Sequence, residues 1–346
     1  MSAAALEYPV AAPPGIGQAV ALAAGVTWAR LPVPGSLRHI NVWLLDDGTG
    51  LALVDTGMDV PAARAAWDGP LAAVLAGRPI TRIICTHHHP DHAGLAAWLA
   101  ARHGAAVYMS EPEERLLRAL LAGGASAGVE AARIAAFERD GLAVTDEMRP
   151  VAAVAGYRRI MSGIPADIRR LAHGDVLEIG AVRWQAHVVK GHTDGQLVFH
   201  APEAGMLIAG DQVLPRITSN IGIYPERADA DPLGSFLDSF AGLAALEPEP
   251  LVLPSHGDVF RGLRARLEQL RAHHAQTLDE VAGLVRAPAT AAEVAGRLFR
   301  APLDPLNRML AVGETLAHLH YLAARGRLSV DEQPGAPRRY GPLRTV

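Results

Sequence analysis

The sequence predicts an α/β fold built in layers, with a small appendage of different character at its C-terminal end. Residues 26 to 55 consist of short β-rich runs separated by Pro-Gly-Ser and Asp-Asp-Gly turn signals, which indicates a meander of strands. Beyond residue 55, helical spacing alternates with short apolar runs of the kind found in buried strands. Such alternation is typical of sheets covered by helices.

The first half of the chain supplies the meander and the start of the alternation. Strands are predicted in VTWARLPV, INVWLL, LALVD and TRIIC, and helices over residues 61–76 and 94–103. Residues from about 111 to 172 are rich in Ala, Arg and Glu and nearly free of strand signals. We therefore expect a helical insertion there.

The second half returns to strands and then changes character. Strands are predicted over residues 176–179, 182–189, 198–203, 206–211 and 251–256, and a long helix over 261–286 that ends before Pro288. Two further helical patterns and a short strand pair follow, an order that resembles a winged helix. The predicted domains are therefore residues 1–285 and a winged-helix-like domain over 286–346.

Composition excludes several classes of protein. Half of the 346 residues are apolar and the formal net charge is -4, which fits a globular enzyme better than a surface that binds nucleic acid throughout. The single cysteine, Cys85, excludes an internal disulfide framework and a cysteine-rich zinc site. The first residues lack the pattern of a secretion signal, and no window reaches the roughly 20 apolar residues of a membrane span. We expect a cytoplasmic protein without membrane contact.

One short stretch carries most of the chemical information. In THHHPDH, residues 86–92, four histidines and an aspartate follow directly on the predicted strand that ends at Cys85. Alternate residues of an extended segment point the same way, so His87 and His89 can share one centre while Asp91 and His92 turn toward a second. Imidazole and carboxylate are the usual ligands of Zn(II) and related ions. The stretch therefore predicts a metal site, with two neighbouring metals plausible.

The spacing His-x-His-x-Asp-His in this stretch resembles the metallo-β-lactamase-fold hydrolases. The other family motifs occur in order along residues 26 to 260, each after a predicted strand: Asp55 in LVDTG, His192 in KGHTDG, Asp211 in IAGDQ and His256 in LPSHGD. One position departs from the commoner family pattern, since Asp194 stands where proline is usual. The resemblance implies an αββα sandwich with two divalent metal ions at one edge of the two sheets.

The resemblance also implies a role for each motif residue. His87, His89 and His192 would hold one ion, Asp91, His92 and His256 the other, and Asp211 would bridge them; Asp91 and Asp211 are the candidate catalytic residues. Asp55 would orient a ligand rather than bind metal. Zinc is the expected metal, with manganese or iron as alternatives. A mono-zinc β-lactamase would carry cysteine in place of Asp211, so antibiotic hydrolysis is not expected.

Other polar residues are given structural or substrate-binding roles. Arg216, Asn220 and Tyr224 follow the bridging aspartate on an irregular segment and are predicted to contact substrate. Cys85 is interpreted as a buried structural thiol, and His88 as a residue that packs or forms hydrogen bonds behind the site and does not bind metal. His273 and His274 are expected to make ordinary interhelical contacts, with a position near the metals as the alternative, and His318 and His320 are expected to be packing residues of the tail.

The organisation of the whole chain resembles the β-lactamase-like protein 2 branch, which leaves the substrate open. We expect a hydrolase of a small-molecule ester, thioester or lactone. The first alternative is a nuclease of single-stranded RNA that uses five arginines near the terminal strand pair, namely Arg325, Arg327, Arg338, Arg339 and Arg344. The second is a mono-iron sulfur dioxygenase. A homo-oligomer is compatible with the sequence.

Overall fold

Two sheets form the centre of the molecule. The computed structural model describes residues 5–122, 127–152, 154–227 and 230–343. The first sheet contains seven strands in sequence order, antiparallel from β1 to β4 and parallel from β4 to β7. These strands are β1 (Ala19–Ala21), β2 (Val26–Pro32), β3 (His39–Asp47), β4 (Gly50–Val54), β5 (Ile80–Ile84), β6 (Ala106–Met109) and β7 (Ile168–Arg170).

The second sheet has the order β12-β11-β10-β9-β8, in which only the β11–β12 pair is parallel. Its strands are β8 (Val176–Ile179), β9 (Val182–Val189), β10 (Gln196–Ala201), β11 (Met206–Gly210) and β12 (Leu251–Pro254). Nearer the C-terminus, β13 (Ser329–Asp331) and β14 (Arg339–Gly341) pair as an antiparallel ribbon.

Helices connect the strands and cover both sheets. In the first half they are α1 (Pro61–Asp68), α2 (Pro70–Leu75), α3 (Pro90–Ala93), α4 (Ala96–His103), α5 (Glu111–Ala122), α6 (Ala127–Arg139), α7 (Arg149–Ala152) and α8 (Val154–Arg158). In the second half they are α9 (Pro232–Ala244), α10 (Leu263–Leu284), α11 (Ala291–Leu298) and α12 (Pro305–Ala324). Among the described residues, no helix is both long and apolar enough to cross a membrane.

Strand alternation assigns side chains to separate cores. On β3, Ile40, Val42 and Leu44 pack under the helices that include α1, α2 and α4, whereas Trp43 and Leu45 point into the core between the two sheets. This is the two-residue period of a strand buried on both faces. The predicted four-layer αββα sandwich is therefore confirmed.

The C-terminal helices belong to a third core on the outer face of the second sheet. Leu207 of β11 packs in this core together with Phe236 of α9, Leu267 of α10 and Leu316 of α12. The tail is thus packed against the layer that carries the second sheet. The division at residue 285 and the winged-helix comparison stay predictions, although α11, α12 and the β13–β14 ribbon occur in the predicted order.

Two predicted elements differ in the structure. The single helix expected over residues 61–76 is two helices, because Gly69 ends α1 and Pro70, which lacks an N–H group, begins α2. The insertion expected to be helical also contains β7, which pairs with β6 at the edge of the first sheet. Only three residues long, β7 gives too short a pattern to recognise in sequence.

Candidate metal centre

The predicted ligands converge because the loops that carry them leave neighbouring strands at one edge of the sandwich. His87, His89, Asp91 and His92 follow β5, His192 follows β9, Asp211 follows β11 and His256 follows β12. All seven are buried except His89, which is partly exposed. The two sheets thus bring together residues that lie far apart along the chain.

Three imidazole nitrogens form a close triangle, which we call the first centre. His87 Nε2 lies 3.0 Å from His89 Nδ1 and 3.3 Å from His192 Nε2, and the third side, between His89 Nδ1 and His192 Nε2, measures 3.1 Å. Two nitrogens bound tetrahedrally to zinc at about 2.0–2.1 Å lie about 3.3 Å apart. The triangle therefore has the size required for a common ion.

Asp91, His92 and His256 form a second group, which we call the second centre. Asp91 Oδ2 lies 3.3 Å from His256 Nε2 and 3.6 Å from His92 Nε2. Asp211 stands between the centres: its Oδ1 is 3.5 Å from both His92 Nε2 and His256 Nε2, and its Oδ2 is 3.4 Å from His192 Nε2. One carboxylate thus presents an oxygen to each centre.

The chemistry of this donor set fits cations. His92 Nε2, His256 Nε2 and Asp211 Oδ1 are buried and have no hydrogen-bond partner among the described residues. Asp55, Asp91 and Asp211 are buried as well, and within the described part of the chain their ion pairs involve only histidines. Buried carboxylates without a cationic partner are costly. Divalent ions would compensate these charges and satisfy the unpaired atoms.

Asp55 and Thr86 orient two of the rings from behind. Asp55 Oδ2 accepts from His92 Nδ1 at 2.8 Å, and its Oδ1 accepts from the Thr86 backbone N–H at 2.8 Å. Thr86 Oγ1 donates to Asp55 and lies 3.0 Å from His87 Nδ1. Asp55 adopts a φ of 60°, a left-handed conformation uncommon for aspartate, as its backbone turns beneath the site. Asp55 thus contacts a predicted ligand and the segment that carries it, and its orienting role stays a prediction.

Backbone carbonyls orient two more ligands. His192 Nδ1 donates to the Asn220 carbonyl at 2.9 Å, and His256 Nδ1 donates to the His39 carbonyl at 2.8 Å. A proton fixed on Nδ1 leaves Nε2 of the same ring with its lone pair directed into the site. The surrounding protein therefore selects the tautomer that binds metal.

The electrostatics of the two centres differ. Burial, followed by the neighbouring His92 and His89 rings, holds the pKa of His87 well below its ordinary value, so its Nε2 is available as a ligand. For Asp211, burial raises the pKa, but the His256 and His92 rings outweigh it and bring the pKa below the ordinary value. In the second centre burial lowers the pKa of His92, but the carboxylates of Asp91, Asp55 and Asp211 outweigh it and raise this pKa well above its ordinary value, so a cation that binds there would displace a proton.

Glu113 is a buried residue that no sequence motif indicates. It accepts from His88 Nδ1 at 2.6 Å and from the Gly195 N–H at 2.9 Å, so it joins the THHHPDH segment to the loop after His192. Tyr157 completes this support by donating to the His88 carbonyl at 2.5 Å. His88 therefore makes hydrogen bonds, one of the two roles expected of it, and its exclusion as a ligand stays a prediction.

Arg227 explains why the chain can carry aspartate at position 194, where proline is usual in the family. Its Nε and Nη2 atoms contact Asp194 Oδ1 at 3.0 and 2.9 Å, and its Nη1 donates to the carbonyls of Gly191 and Gly222 at 2.8 and 2.9 Å. With 5% of its side chain exposed, the arginine holds the loop on both sides of His192. An aspartate is accommodated at this position because Arg227 is its counter-ion.

A narrow cleft leads to the first centre. Two cavities of about 100 and 30 Å³ share His88, His89 and Glu226 in their walls. The apolar lining comes from the insertion, and the polar lining comes from the insertion and from the segments after β9 and β11. The apolar residues are Leu116, Leu120, Val154 and Tyr157, and the polar residues include Arg133, Asp194, Glu226 and Arg227.

The three predicted substrate-binding residues occupy different positions. Tyr224 lines the cleft and donates a hydrogen bond to Asn220 Oδ1. Asn220 uses its carbonyl to hold His192. Arg216 lies at the surface with 71% of its side chain exposed, and its guanidinium is 3.9 Å from Asp258 Oδ2. Contact of any of the three with substrate stays a prediction.

Glu314 of α12 reaches the same segment, and no sequence motif indicates this residue either. Its Oε2 accepts from Asn220 Nδ2 at 3.5 Å. Burial raises the pKa of Glu314 to about 7, and the hydrogen bond from Asn220 opposes this only in part. A raised pKa in the folded state means that the fold favours the protonated carboxyl group.

This pKa predicts how Glu314→Gln changes stability with pH. Wild-type stability falls as pH rises from about 4.5 through 7, because the unfolded carboxyl ionises before the folded one. The glutamine variant lacks this loss, so it should match the wild type near pH 4.5 and exceed it at pH 8 by up to about 3 kcal/mol. Urea unfolding of both proteins at the two pH values measures the difference, and a variant less stable than wild type at pH 8 would contradict it.

The four arginines near the terminal ribbon that the structure describes are each paired with an acidic residue. Arg338 has 10% of its side chain exposed and lies 3.4 Å from Asp140, while Arg325, Arg327 and Arg339 pair with Asp231, Asp279 and Glu293. Arg344 lies outside the described residues. The four described arginines therefore offer less positive charge to a phosphate backbone than their number in the sequence suggests.

The expected burial of Cys85 and the packing of His274 and His318 agree with the structure, whereas the interhelical contact expected of His273 is not found among the residues that the structure describes. Cys85 is fully buried, and burial raises the pKa of its thiol well above the ordinary value. His274 and His318 are buried, with His274 Nδ1 3.3 Å from His318 Nε2 between α10 and α12. His273 lies exposed beside His274, and His320 accepts from Arg338 at 2.8 Å.

Two protein-family models match the chain. Residues 35–256 match the model of the metallo-beta-lactamase superfamily, and residues 278–343 match that of a metallo-beta-lactamase-like C-terminal domain.

Individual proteins resemble the chain over most or part of its length. The chain is 26% identical to "Probable metallo-hydrolase YqjP" of Bacillus subtilis (strain 168), over 85% of this chain and 91% of that protein. It is 27% identical to a hydroxyacylglutathione hydrolase of Erythrobacter litoralis (strain HTCC2594), over 61% of this chain and 64% of that one. The crystal structure of a beta-lactamase domain protein from Burkholderia ambifaria superposes with a TM-score of 0.87 at 35% identity, covering 98% of both chains.

Proposed function

The chain belongs to the metallo-beta-lactamase superfamily and is a metallo-hydrolase, and we propose that it uses a dinuclear centre to cleave a small-molecule ester, thioester or lactone. One observation carries the dinuclear part of the proposal. Asp211 presents one oxygen to the His92–His256 pair and the other to His192, the arrangement required of a carboxylate shared by two ions.

Each centre would be held by three ligands in addition to that carboxylate. His87, His89 and His192 would hold one ion, and Asp91, His92 and His256 the other. Nitrogen and carboxylate donors without a thiolate suit zinc, and we propose zinc as the resident metal, with manganese and iron as alternatives.

Bound divalent ions would supply a deprotonated water at neutral pH and polarise the carbonyl oxygen of the substrate. The protein contributes the groups around this chemistry. Asp211 and Asp91 would orient the attacking water and hold its proton at a carboxylate oxygen. Asp55, Thr86 and the carbonyls of Asn220 and His39 keep the rings in position. Tyr224 and the insertion would bind substrate in the cleft.

A thioester is the preferred substrate within this class. The hydroxyacylglutathione hydrolase relative is named for a substrate that is an acyl thioester of glutathione. The narrow, partly apolar cleft suits a short acyl group better than a nucleic-acid strand. The acidic partners of the described arginines near the ribbon likewise favour a small molecule over RNA.

Hydrolysis of matched substrates tests the proposal. The zinc-loaded protein should cleave acyl-glutathione and acyl-coenzyme A thioesters, and His89→Ala should lose this activity together with metal. His273→Ala removes an exposed imidazole on α10 and should behave as wild type. A fully metal-loaded protein that stays at background on a broad panel of thioesters, esters and lactones would refute the small-molecule assignment.

The same preparations distinguish the two alternatives. A nuclease would cleave an RNA oligomer. Its binding to that oligomer would weaken as the salt concentration rises, and would be weaker in Arg339→Ala than in the wild type. A single iron per chain with oxygen uptake on persulfide substrates, and no hydrolysis, would identify a dioxygenase.

A further inference from the structure

The segment after the bridging aspartate is held from outside the sandwich, by one turn of α12. The Ile223 N–H donates to the Gly313 carbonyl at 3.1 Å, and the neighbouring Glu314 accepts from Asn220 Nδ2. Residues 220–224 therefore connect to the C-terminal helices through both backbone and side chain.

Gly313 is the point of closest approach. A Cβ atom at this position would lie 2.5 Å from Cε1 and 2.9 Å from Cζ of Tyr224. Glycine in the middle of a 20-residue helix lowers helix stability by about 1 kcal/mol relative to alanine. Packing explains the glycine at position 313, because the absence of a side chain makes room for the ring of Tyr224.

The same contacts lead to the first centre. The Tyr224 hydroxyl donates to Asn220 Oδ1, so the Asn220 side chain is held by Tyr224 on one side and Glu314 on the other. The carbonyl of this same residue accepts the Nδ1–H of His192. Movement of Asn220 would therefore turn the His192 ring away from His87 and His89.

We propose that the Gly313–Glu314 turn of α12 is a positioning element for His192, acting through Tyr224 and Asn220, so that the C-terminal region sets the metal affinity of the first centre. This inference rests on the proposed dinuclear function. It makes the C-terminal helices part of the architecture of the active site rather than only an attached module.

Zinc affinity of Gly313→Ala, measured by competition with a chromophoric chelator, tests the proposal without a substrate. We expect one of two zinc ions to bind about 10–100-fold more weakly, the range typical for loss of an outer partner of a metal ligand. Gly296→Ala on α11 is the matched control, since a Cβ there meets nothing within 4 Å, and it should keep wild-type affinity. Unchanged zinc affinity in Gly313→Ala would overturn the proposal.

Side-chain variants provide a second test if Gly313→Ala fails to fold. Glu314→Ala should weaken zinc binding, whereas Glu314→Gln keeps an oxygen acceptor for Asn220 and should remain within about 3-fold of wild type. Thr315→Val, at the adjacent buried position of α12, controls for a change in helix packing. Equal losses in Glu314→Ala and Glu314→Gln, or no loss in Glu314→Ala, would overturn the proposal.

The outcomes separate this inference from the proposed function. Suppose that Gly313→Ala binds zinc more weakly and that the wild-type protein cleaves none of the thioesters. The first result would support the positioning element, and the second would reject the proposed substrate. If the wild type hydrolyses thioesters and Gly313→Ala keeps the zinc affinity of the wild type, the proposed substrate would be supported and the positioning element rejected.

Discussion

Asp211→Ala is expected to reduce kcat/KM for thioester hydrolysis by at least about 1,000-fold, equivalent to about 4 kcal/mol of transition-state stabilisation. The reason is its shared position, since Asp211 Oδ1 faces His92 and His256 while Oδ2 faces His192. One substitution thus removes a donor from both centres. Steady-state kinetics with elemental analysis of the same sample measures the effect.

Asp238→Ala is the matched control for this variant. Asp238 is an exposed aspartate on α9, and its removal should leave kinetics and metal content unchanged. An Asp211→Ala protein that retained two ions per chain and activity within about 10-fold of wild type would show that Asp211 does not bridge the metals.

Arg227→Ala is expected to lower the free energy of unfolding by about 3–5 kcal/mol, the range for breaking a buried ion pair from one side. The variant would remove both contacts of Arg227 with Asp194 and its hydrogen bonds to the carbonyls of Gly191 and Gly222. Urea denaturation measures the loss. Arg216→Ala is the control, because that side chain is exposed and should change stability by less than about 0.5 kcal/mol.

A double variant tests whether Asp194 is the origin of this cost. In Asp194→Ala/Arg227→Ala the carboxylate that contacts Arg227 is removed together with the arginine, so the double variant should be less destabilised than the sum of the two single variants. Strict additivity, or a loss below about 1 kcal/mol in Arg227→Ala, would mean that this ion pair does not support the loop.

Most of the fold could be predicted because the chain has strong local patterns. The apolar residues of β3 are divided between two cores, and the unbroken apolar run in INVWLL is typical of a strand buried on both faces. The break between α1 and α2 was missed because the alanine-rich spacing continues across it. The strand β7 was missed because its pairing with β6 depends on residues about 60 positions away.

The metal ligands were predictable for a different reason. Four of the seven lie within residues 87–92, and each of the others follows a strand at the same edge of the sandwich. The structure brings the members of each predicted triad together around Asp211, and it also brings His87 together with His92 and Asp211. Assignment of these residues as ligands remains a proposal for the metal analysis to test.

The supporting residues could not be found from sequence because their partners are distant. Glu113 contacts His88 across 25 positions, and Glu314 contacts Asn220 across 94. Neither lies in a motif. Arg227 is the one supporting residue for which the sequence held a clue. Asp194 stands where proline is usual in the family, and a partly buried aspartate there calls for a cationic partner such as Arg227.

Metal content of the purified wild-type protein is the most direct test of the dinuclear centre. Elemental analysis combined with native mass spectrometry gives both the identity of the metal and the number of ions per chain. We predict two ions per chain, with zinc as the main metal. A protein that binds only one ion when zinc, manganese or iron is supplied in excess would contradict the dinuclear centre.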